Sequence, residues 1–260
     1  MTSARRALRG GVSAAVSIGV VLVAWVVFLR AFHVQPFIGK GPGAVWRWLF
    51  SGPEAGGHRA LMRHESWITL RDAFLGMLVG TLAAVGCAVA FNLSRAAQRT
   101  LMPVAMVLRS VPLVAMTPLI VLVFGRGLRA VTVIAGVVTF FPTLVNVTLA
   151  LGAAPRESID LLAACGASPL ATLRKVQIPS ALPSLFASLR IAAPLALVGA
   201  LLSEWLATGK GLGYSILQAG ALSDYTGLWS RVALVTIYSV VLYKLIGGVE
   251  GLVLRRFAPA

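Results

Sequence analysis

The sequence is poor in charged residues, and acids are especially scarce. Of its 260 residues 12% are charged and only 8 are Asp or Glu, whereas soluble domains have roughly 25% charged residues. It is also 58% hydrophobic, with a mean hydropathy of +0.88. This composition excludes an ordinary soluble globule. It predicts membrane-spanning helices, since about 20 apolar residues cross a hydrocarbon layer of roughly 30 Å.

Cysteine and histidine are also few, and their positions form no pattern of a reactive site. Cys87 and Cys165 lie far apart and match no metal or redox spacing. His33, His58 and His64 all fall in one predicted loop, without the carboxylates or thiols of a catalytic or metal centre. We therefore expect this chain to have no catalytic activity, no metal and no bound cofactor.

A phosphate-binding loop of the form G-x-x-x-x-G-K-[ST] is also missing. The segment "TGKGLGY" comes nearest, but Glu204 takes the place of the leading Gly, and Gly211 follows Lys210 where Ser or Thr is needed. We interpret it as a flexible turn. If ATP and Mg²⁺ drive this protein, they bind to another polypeptide.

Basic residues are abundant and give a formal net charge of +15. A nucleic-acid-binding protein gathers such residues on one solvated face, with polar residues between them. Here they lie instead at the ends of the apolar runs. That position suits the positive-inside rule and anionic lipid headgroups, so we expect contact with membrane lipid and none with nucleic acid.

The apolar runs predict an all-α polytopic bundle that forms one transmembrane domain over residues 1–260. Its six predicted spans are residues 11–31, 70–93, 103–124, 130–152, 184–207 and 231–253. The first is too long for a typical signal peptide and has no small-residue cleavage site behind it, so we expect it to be retained.

Two of these spans have informative local patterns. The second contains "GMLVG", a small-xxx-small face that favours close helix contact. The third contains Pro103, Pro112 and Pro118, which interrupt the hydrogen-bond ladder and predict a kinked helix.

The orientation follows from the bias of basic residues near the span ends. One side collects Arg5, Arg6, Arg9, Arg95, Arg99, Arg156, Arg174, Lys175, Arg255 and Arg256. The other has Lys40, Arg47, Arg59, Arg63, Arg126, Arg129 and Lys210, with Glu54 and Glu65 among them. We therefore expect a multi-pass protein of the inner membrane, with both termini and the segment 153–183 in the cytoplasm.

The segment 153–183 predicts a helix-turn-helix elbow. "RESIDLLAACG" is typical of a short helix that ends at Gly166. Ser168 then caps a second helix with Pro169 at its first position, and Pro179 is expected to end it. The elbow has more apolar residues than a solvated loop needs, so it either packs beneath the spans or presents a docking surface.

The elbow resembles the cytoplasmic loop signature of ABC importer permeases. That signature is Glu-Ala-Ala, three residues, Gly, nine residues and Ile-x-Leu-Pro, and here Gly166 matches the Gly while Asp160 keeps the acid of the opening triplet. Leu161 and Leu162 replace the two alanines. The resemblance implies an ATPase-docking loop made of Asp160, Leu161, Leu162, Ala163, Gly166, Ala167, Ser168, Pro169, Val176, Ile178 and Pro179.

Other segments are similar to the branch of this family that includes nitrate, sulfonate and taurine permeases and transporters of thiamine-precursor pyrimidines. They are "LRSVPLVAMTPLIVLVFGRG", "FFPTLVN", "SALPSLFASLRIA" and "LLSEWLATGKGLGY". The resemblance implies a type I importer fold, two copies of an ABC ATPase, a second permease subunit in a homodimer, and an extracytoplasmic binding protein. It also implies a small anion such as a sulfonate, taurine or nitrate, or alternatively a pyrimidine.

Polar residues within the spans are candidates for the solute path. Arg109 and Arg190 either reach to the headgroups or line the mouth of an anion path. Glu204 is either a gate residue or the interfacial end of a helix. Candidates without charge are Thr117, Thr139 and Asn146, which either line the path or bond to a neighbouring helix.

A stand-alone ion-coupled carrier is the alternative from another class. Such a carrier places its coupling charges at the membrane midplane, often on broken helices within inverted repeats. No convincing repeat relates residues 1–130 to 131–260, and the intramembrane charges lie off-centre.

Overall fold

A computed structural model of the protein describes residues 2–255, with side chains from residue 16 onward. Over this range the chain is helical, and the described residues form no strand. The helices are α1 Thr2–Ala31, α2 Pro42–Trp46, α3 Ala55–Leu93, α4 Arg95–Arg109, α5 Leu113–Phe124, α6 Leu128–Gly152, α7 Arg156–Ala164, α8 Pro169–Thr172, α9 Ile178–Ser203, α10 Gly211–Ala221 and α11 Tyr225–Leu254. Wider π-helical turns follow α2, α8 and α9 at Arg47–Ser51, Leu173–Gln177 and Glu204–Thr208.

The part of the chain that the structure describes has fewer membrane-length helices than the six predicted spans. Among the described residues, four helical runs are long and apolar enough to cross a membrane: Ala55–Leu93, Leu128–Gly152, Pro169–Thr208 and Tyr225–Leu254. The pair α4 and α5 makes a fifth if it counts as one span, and α1 contributes the shorter apolar stretch Val16–Ala31. The basic side chains of Arg5, Arg6, Arg9 and Arg256, used above for orientation, lie outside the described residues.

The third predicted span, 103–124, is not the kinked helix that its prolines suggested. It is two helices, α4 and α5, bent by 104° at a break after Arg109. Pro103 and Pro118 are tolerated inside the helices, while Pro112 stands at the N-cap of α5 in an extended conformation. Since the residue before a proline is pushed out of the helical region, Val111-Pro112 is where the chain turns.

Pro179 does not end the elbow's second helix, contrary to expectation. The helical run continues from Pro169 to Thr208, so the predicted boundary between the elbow and the span from 184 does not exist. The π-helical turn explains why. The Ile178 N–H donates to the Leu173 carbonyl, five residues back, and this widened turn accommodates the ring of Pro179, which has no N–H to donate.

The chain divides into two compact units. One comprises residues 64–215 and 234–260 and holds the close contact of α3, α6 and α9. There Gly76 and Gly80 of α3 lie directly against Ala135 and Gly136 of α6. Gly199 of α9 approaches the same place, where an added methyl group would lie 2.7 Å from Ala135 Cα. The "GMLVG" prediction of a close helix contact is therefore confirmed.

The other unit comprises residues 1–63 and 216–233. Aromatic side chains organise it. Trp25 stacks on Trp229 with ring centroids 5.4 Å apart, and the Trp229 Nε1–H donates to the Ile38 carbonyl at 2.8 Å. Phe37 meets Tyr225 edge to face at 5.3 Å. These contacts fix the segment after α1 against the start of α11.

Candidate functional site

The elbow has the local geometry that its sequence predicts. Helix α7 ends at Ala164, and Gly166 follows in the left-handed conformation with φ +75°. The Ala167 N–H donates to the Leu162 carbonyl across this turn at 2.9 Å. Ser168 then caps α8, its Oγ accepting from the Ala171 N–H at 3.3 Å. A non-glycine residue at Gly166 would be strained, although an added Cβ would meet no described atom of this chain within 4 Å.

One face of the elbow is anchored in the protein. Leu173 is only 1% exposed and packs in a cluster with Leu144, Leu151 and Phe91. The Asn92 amide donates to Gln177 Oε1 at 2.7 Å and so ties the end of α3 to the π-helical turn. The elbow is therefore in direct contact with α3 and α6.

The opposite face is uncovered. Leu161 and Leu170, on the two arms of the elbow, are 66% and 53% exposed. Ala163, Gly166, Ser168 and Pro169 between them are exposed as well. The predicted docking residues thus do not pack together as a core, and the alternative that the elbow simply packs beneath the spans fails for this face. Leu162, Ala167, Val176 and Pro179 are half-buried, and Asp160 and Ile178 are exposed.

Two of the three uncharged path candidates donate hydrogen bonds within their own helices. Thr117 and Thr139 are fully buried, and their hydroxyls donate to the carbonyls of Leu113 and Gly136, each at 3.0 Å. Asn146 is half-buried on α6, and Arg109 is exposed at the last residue of α4. The structure does not bring these four residues together into one site.

Arg190 has a charged partner. Its guanidinium donates to the carboxylate of Glu250 on α11, lies 5.9 Å from the ring centroid of Tyr243 and passes close over Gly247. The positive charge is therefore compensated within the chain. Neither expected role, reaching to the headgroups alone or lining an anion path, follows from this geometry.

We expect Arg190→Ala to destabilise the protein more than the double variant Arg190→Ala/Glu250→Ala. A single removal leaves one charge unpaired in a poorly solvated place, whereas the double removal leaves none. Thermal unfolding in detergent measures the difference. Equal melting temperatures for the single and double variants would show that an unpaired Glu250 carboxylate does not destabilise the protein.

Glu204 lies at the centre of a buried polar cluster. It is 0% exposed, and its Oε2 accepts from the Gly213 N–H at 2.6 Å. Its Oε1 has no hydrogen-bond partner among the described residues. Glu204 is therefore not an interfacial helix end with its charge in water, which was one of its two expected roles.

Helix α3 supplies the rest of this cluster. Thr69 Oγ1 accepts from the Leu212 N–H at 2.9 Å, and Glu65 Oε1 accepts from the Ser215 hydroxyl at 2.5 Å. Asp72, one turn further along, pairs with its neighbour Arg71 at 2.8 Å. The first turns of α10 are thus held by side chains of α3 and by Glu204, which satisfy amides that have no partner within the helix.

The glycines of "TGKGLGY" allow the turn to approach Glu204 closely. Gly209 and Gly211 have positive φ, +63° and +87°. An added methyl group on Gly211 would collide with the Glu204 carboxylate, and one on Gly213 would lie 2.6 Å from the Leu201 carbonyl. Only glycine lets this turn lie directly on the buried acid.

We expect Glu204→Gln to keep the turn in place and Glu204→Ala to release it. Gln retains an oxygen that accepts the Gly213 N–H, whereas Ala leaves that amide buried without a partner, at about 1–3 kcal/mol. Hydrogen exchange at Leu212 and Gly213 reports the difference. If both variants exchange as slowly as the native chain, Glu204 does not hold the turn.

Sequence reasoning identified Glu204 and missed its neighbours. The predicted second span begins at residue 70, so the sequence places Glu65 and Thr69 in the preceding loop and Asp72 at the start of the span. In the structure α3 already begins at Ala55. Their helical spacing of three to four residues was the available signal, since it places all three on one face.

The chain matches the family model "Binding-protein-dependent transport system inner membrane component" over residues 76–259. It is 30% identical to a probable ABC transporter permease protein of Haemophilus influenzae, covering 87% of this chain and 90% of that one. It is 37% identical to the riboflavin transport system permease protein RibX of Chloroflexus aurantiacus, covering 61% and 59%. It is 24% identical to the nitrate import permease protein NrtB of Leptolyngbya laminosa, covering 83% and 84%.

Solved structures show the same fold. A structure of the MetNI methionine ABC transporter in an inward-facing conformation superposes with a TM-score of 0.66 at 24% identity, covering 77% of this chain and 98% of that one. The elbow, the apolar helices and the family match agree, and this chain belongs to the binding-protein-dependent inner-membrane components, the permease subunits of ABC importers.

Proposed function

We propose that the exposed face of the elbow docks into an ABC ATPase subunit, and that two copies of this chain and two ATPases form the transporter. The uncovered Leu161 and Leu170 on either side of the left-handed Gly166 carry this proposal. Burial of these two side chains in an interface would stabilise the complex, because each buried side chain of this size contributes about 1.5–3 kcal/mol of free energy.

Movement of the elbow reaches the spans through its anchored face. When ATP closes the two ATPases, the elbows move with them. Leu173 and the hydrogen bond from Asn92 to Gln177 carry this movement to α3 and α6. The spans then alternate the path between the two sides of the membrane. A binding protein delivers the solute on the other side of the membrane, away from the elbow and from both termini.

The proposed solute is a small organic or inorganic anion, such as an aliphatic sulfonate, taurine or nitrate. Similarity to permeases for these solutes supports it: NrtB, SsuC of Escherichia coli at 26% identity and TauC of Escherichia coli at 24%. Positive charge in the spans adds no support for an anionic solute, because Glu250 compensates the charge of Arg190, and Arg109 is exposed at a helix end.

A small heterocycle is the second candidate. It is favoured by 37% identity to RibX, a riboflavin permease, and by 26% identity to the formylaminopyrimidine permease ThiX of Halalkalibacterium halodurans. A neutral ring system also needs no cation in the path. Binding of sulfonates, nitrate, riboflavin and pyrimidines to the cognate binding protein, measured by calorimetry, separates the two candidates.

Purification of the tagged chain from its native membrane tests the transport mechanism. We expect an ATPase to co-purify, and its ATP hydrolysis to increase when the loaded binding protein is added. Solute uptake by the purified chain alone in proteoliposomes, driven by an ion gradient, would instead establish the stand-alone carrier.

A further inference from the structure

A wide-open surface cavity of about 420 Å³ lies in the unit formed by residues 1–63 and 216–233. Its volume is within the range of about 300–1,000 Å³ that is usual for small-ligand sites. The side chains that give it its chemistry are Lys40, Arg47, Trp48, Glu54, His58 and Thr226. Neither the elbow nor the polar cluster around Glu204 includes any of them.

Stacked rings make one wall of this cavity rigid. Trp48 stacks on His58 with ring centroids 3.8 Å apart and an interplanar angle of 6°. Arg231 lies 5.8 Å from the Trp48 ring centroid. His58 Nδ1 also lies 3.0 Å from the Trp48 carbonyl oxygen, within hydrogen-bond distance. The cavity is thus preformed, which lowers the entropy lost when a ligand binds.

Two cations face this cavity. The Lys40 ammonium donates one hydrogen bond to the Pro36 carbonyl at 2.9 Å, and an ammonium has three hydrogens to donate. The Arg47 side chain is at the exposed edge and presents a planar fork that fits phosphate oxygens. Glu54 also lines the cavity, and its carboxylate lies 3.6 Å from His58 Nε2. Lys40 and Arg47 together outweigh the single carboxylate of Glu54, so the net charge of the lining favours an anion.

Two exposed aromatic rings belong to the same short helical segment as Arg47, although they do not line the cavity itself. Trp46 and Phe50 are 62% and 50% exposed, and their ring centroids lie 4.5 Å apart on the short helical segment 42–51. Thr226, which also lines the cavity, belongs to the first turn of α11, a helix long and apolar enough to cross a membrane. The cavity therefore lies at the end of a span, where aromatic rings and basic side chains mark the boundary between acyl chains and headgroups.

We propose that this cavity binds the phosphodiester headgroup of an anionic phospholipid. Lys40 and Arg47 contact the phosphate, while Trp46 and Phe50 lie against the first carbons of the acyl chains. A soluble anion would use the two cations but would gain nothing from the exposed rings, so the aromatic pair points to a lipid. This assignment does not depend on the transported solute or on the ATPase.

The lipid site can be tested by native mass spectrometry of the purified full chain. The chain is titrated with dioctanoyl phosphatidylglycerol or with dioctanoyl phosphatidylcholine. We expect preferential binding of phosphatidylglycerol. In Lys40→Gln/Arg47→Gln its affinity should fall about 30-fold, which is about 2 kcal/mol at 1.4 kcal/mol per tenfold change and matches two basic residues near a membrane surface. Trp46→Ser, which leaves both cations in place, should weaken binding as well.

The matched control is Arg126→Gln/Lys210→Gln, which removes the same charge from two exposed positions elsewhere in the chain. We expect its affinity for phosphatidylglycerol to remain unchanged. Equal losses in the two double variants, or equal binding of the two lipids, would overturn the site. Displacement of the lipid by millimolar inorganic phosphate, together with unchanged binding in Trp46→Ser, would overturn the lipid assignment in favour of a soluble anion.

Discussion

Gly80→Ala is expected to destabilise the bundle severely, although it adds a single methyl group. That methyl would collide with Thr139 Oγ1 and the Gly136 carbonyl oxygen and lie 2.9 Å from Gly136 Cα. Two of these three atoms belong to the backbone of α6, so no change of side-chain rotamer relieves the contact. Helices α3 and α6 must move apart, and we expect about 1–3 kcal/mol of overpacking strain.

Gly86→Ala is the matched control, because it makes the same change in the same helix. An added methyl on Gly86 meets nothing within 4 Å, so only the helix propensity changes, by about 0.5–1 kcal/mol in favour of Ala. Size-exclusion chromatography after heating in detergent should show a lower melting temperature for Gly80→Ala alone. An equal loss in both variants would mean that α3 does not depend on this contact.

The same helix shows why part of the fold can be predicted from sequence. "GMLVG" has local spacing, and spacing of four residues places both glycines on one face whatever they pack against. The residues that these two glycines contact cannot be identified from local spacing. Ala135 and Gly136 lie more than fifty residues further along the chain, in a run of small and apolar residues where several positions look equally suitable.

The prolines show that local sequence does not always predict where a helix ends. The sequence contains Pro112 and Pro179 in similar apolar surroundings, but only Pro112 breaks a helix. The outcome at Pro179 depends on the π-helical turn before it, and this turn is held by Gln177, which bonds to Asn92 of another helix. A tertiary contact therefore decides whether the local rule applies.

The two candidate sites differ in the same respect. The elbow is built from consecutive residues, so its Gly, Ser and Pro could be assigned to a turn, a cap and a first helical position from sequence alone. The cluster around Glu204 joins Glu65 to Ser215, 150 residues apart. Nothing in the local sequence of either residue indicates the other.

Gly166→Asp should abolish coupled transport while leaving the membrane protein folded. At φ +75° a non-glycine residue is disfavoured by roughly 1–2 kcal/mol, which a helical bundle anchored through Leu173 and Gln177 tolerates. A Cβ added at this position meets no described atom of the chain within 4 Å. The Asp side chain instead projects from the exposed face between Leu161 and Leu170, where a carboxylate would have to be desolvated for an ATPase to dock.

Gly152→Asp provides the control, because a Cβ added at the end of α6 also meets nothing within 4 Å and the position lies outside the elbow's turn. Both variants should reach the membrane and elute as native protein. We expect only Gly166→Asp to lose the co-purifying ATPase, or to retain it with ATP hydrolysis that no longer responds to the binding protein. Normal ATP-driven uptake by Gly166→Asp would show that docking does not use this turn, since the variant places a charge at the centre of the uncovered face.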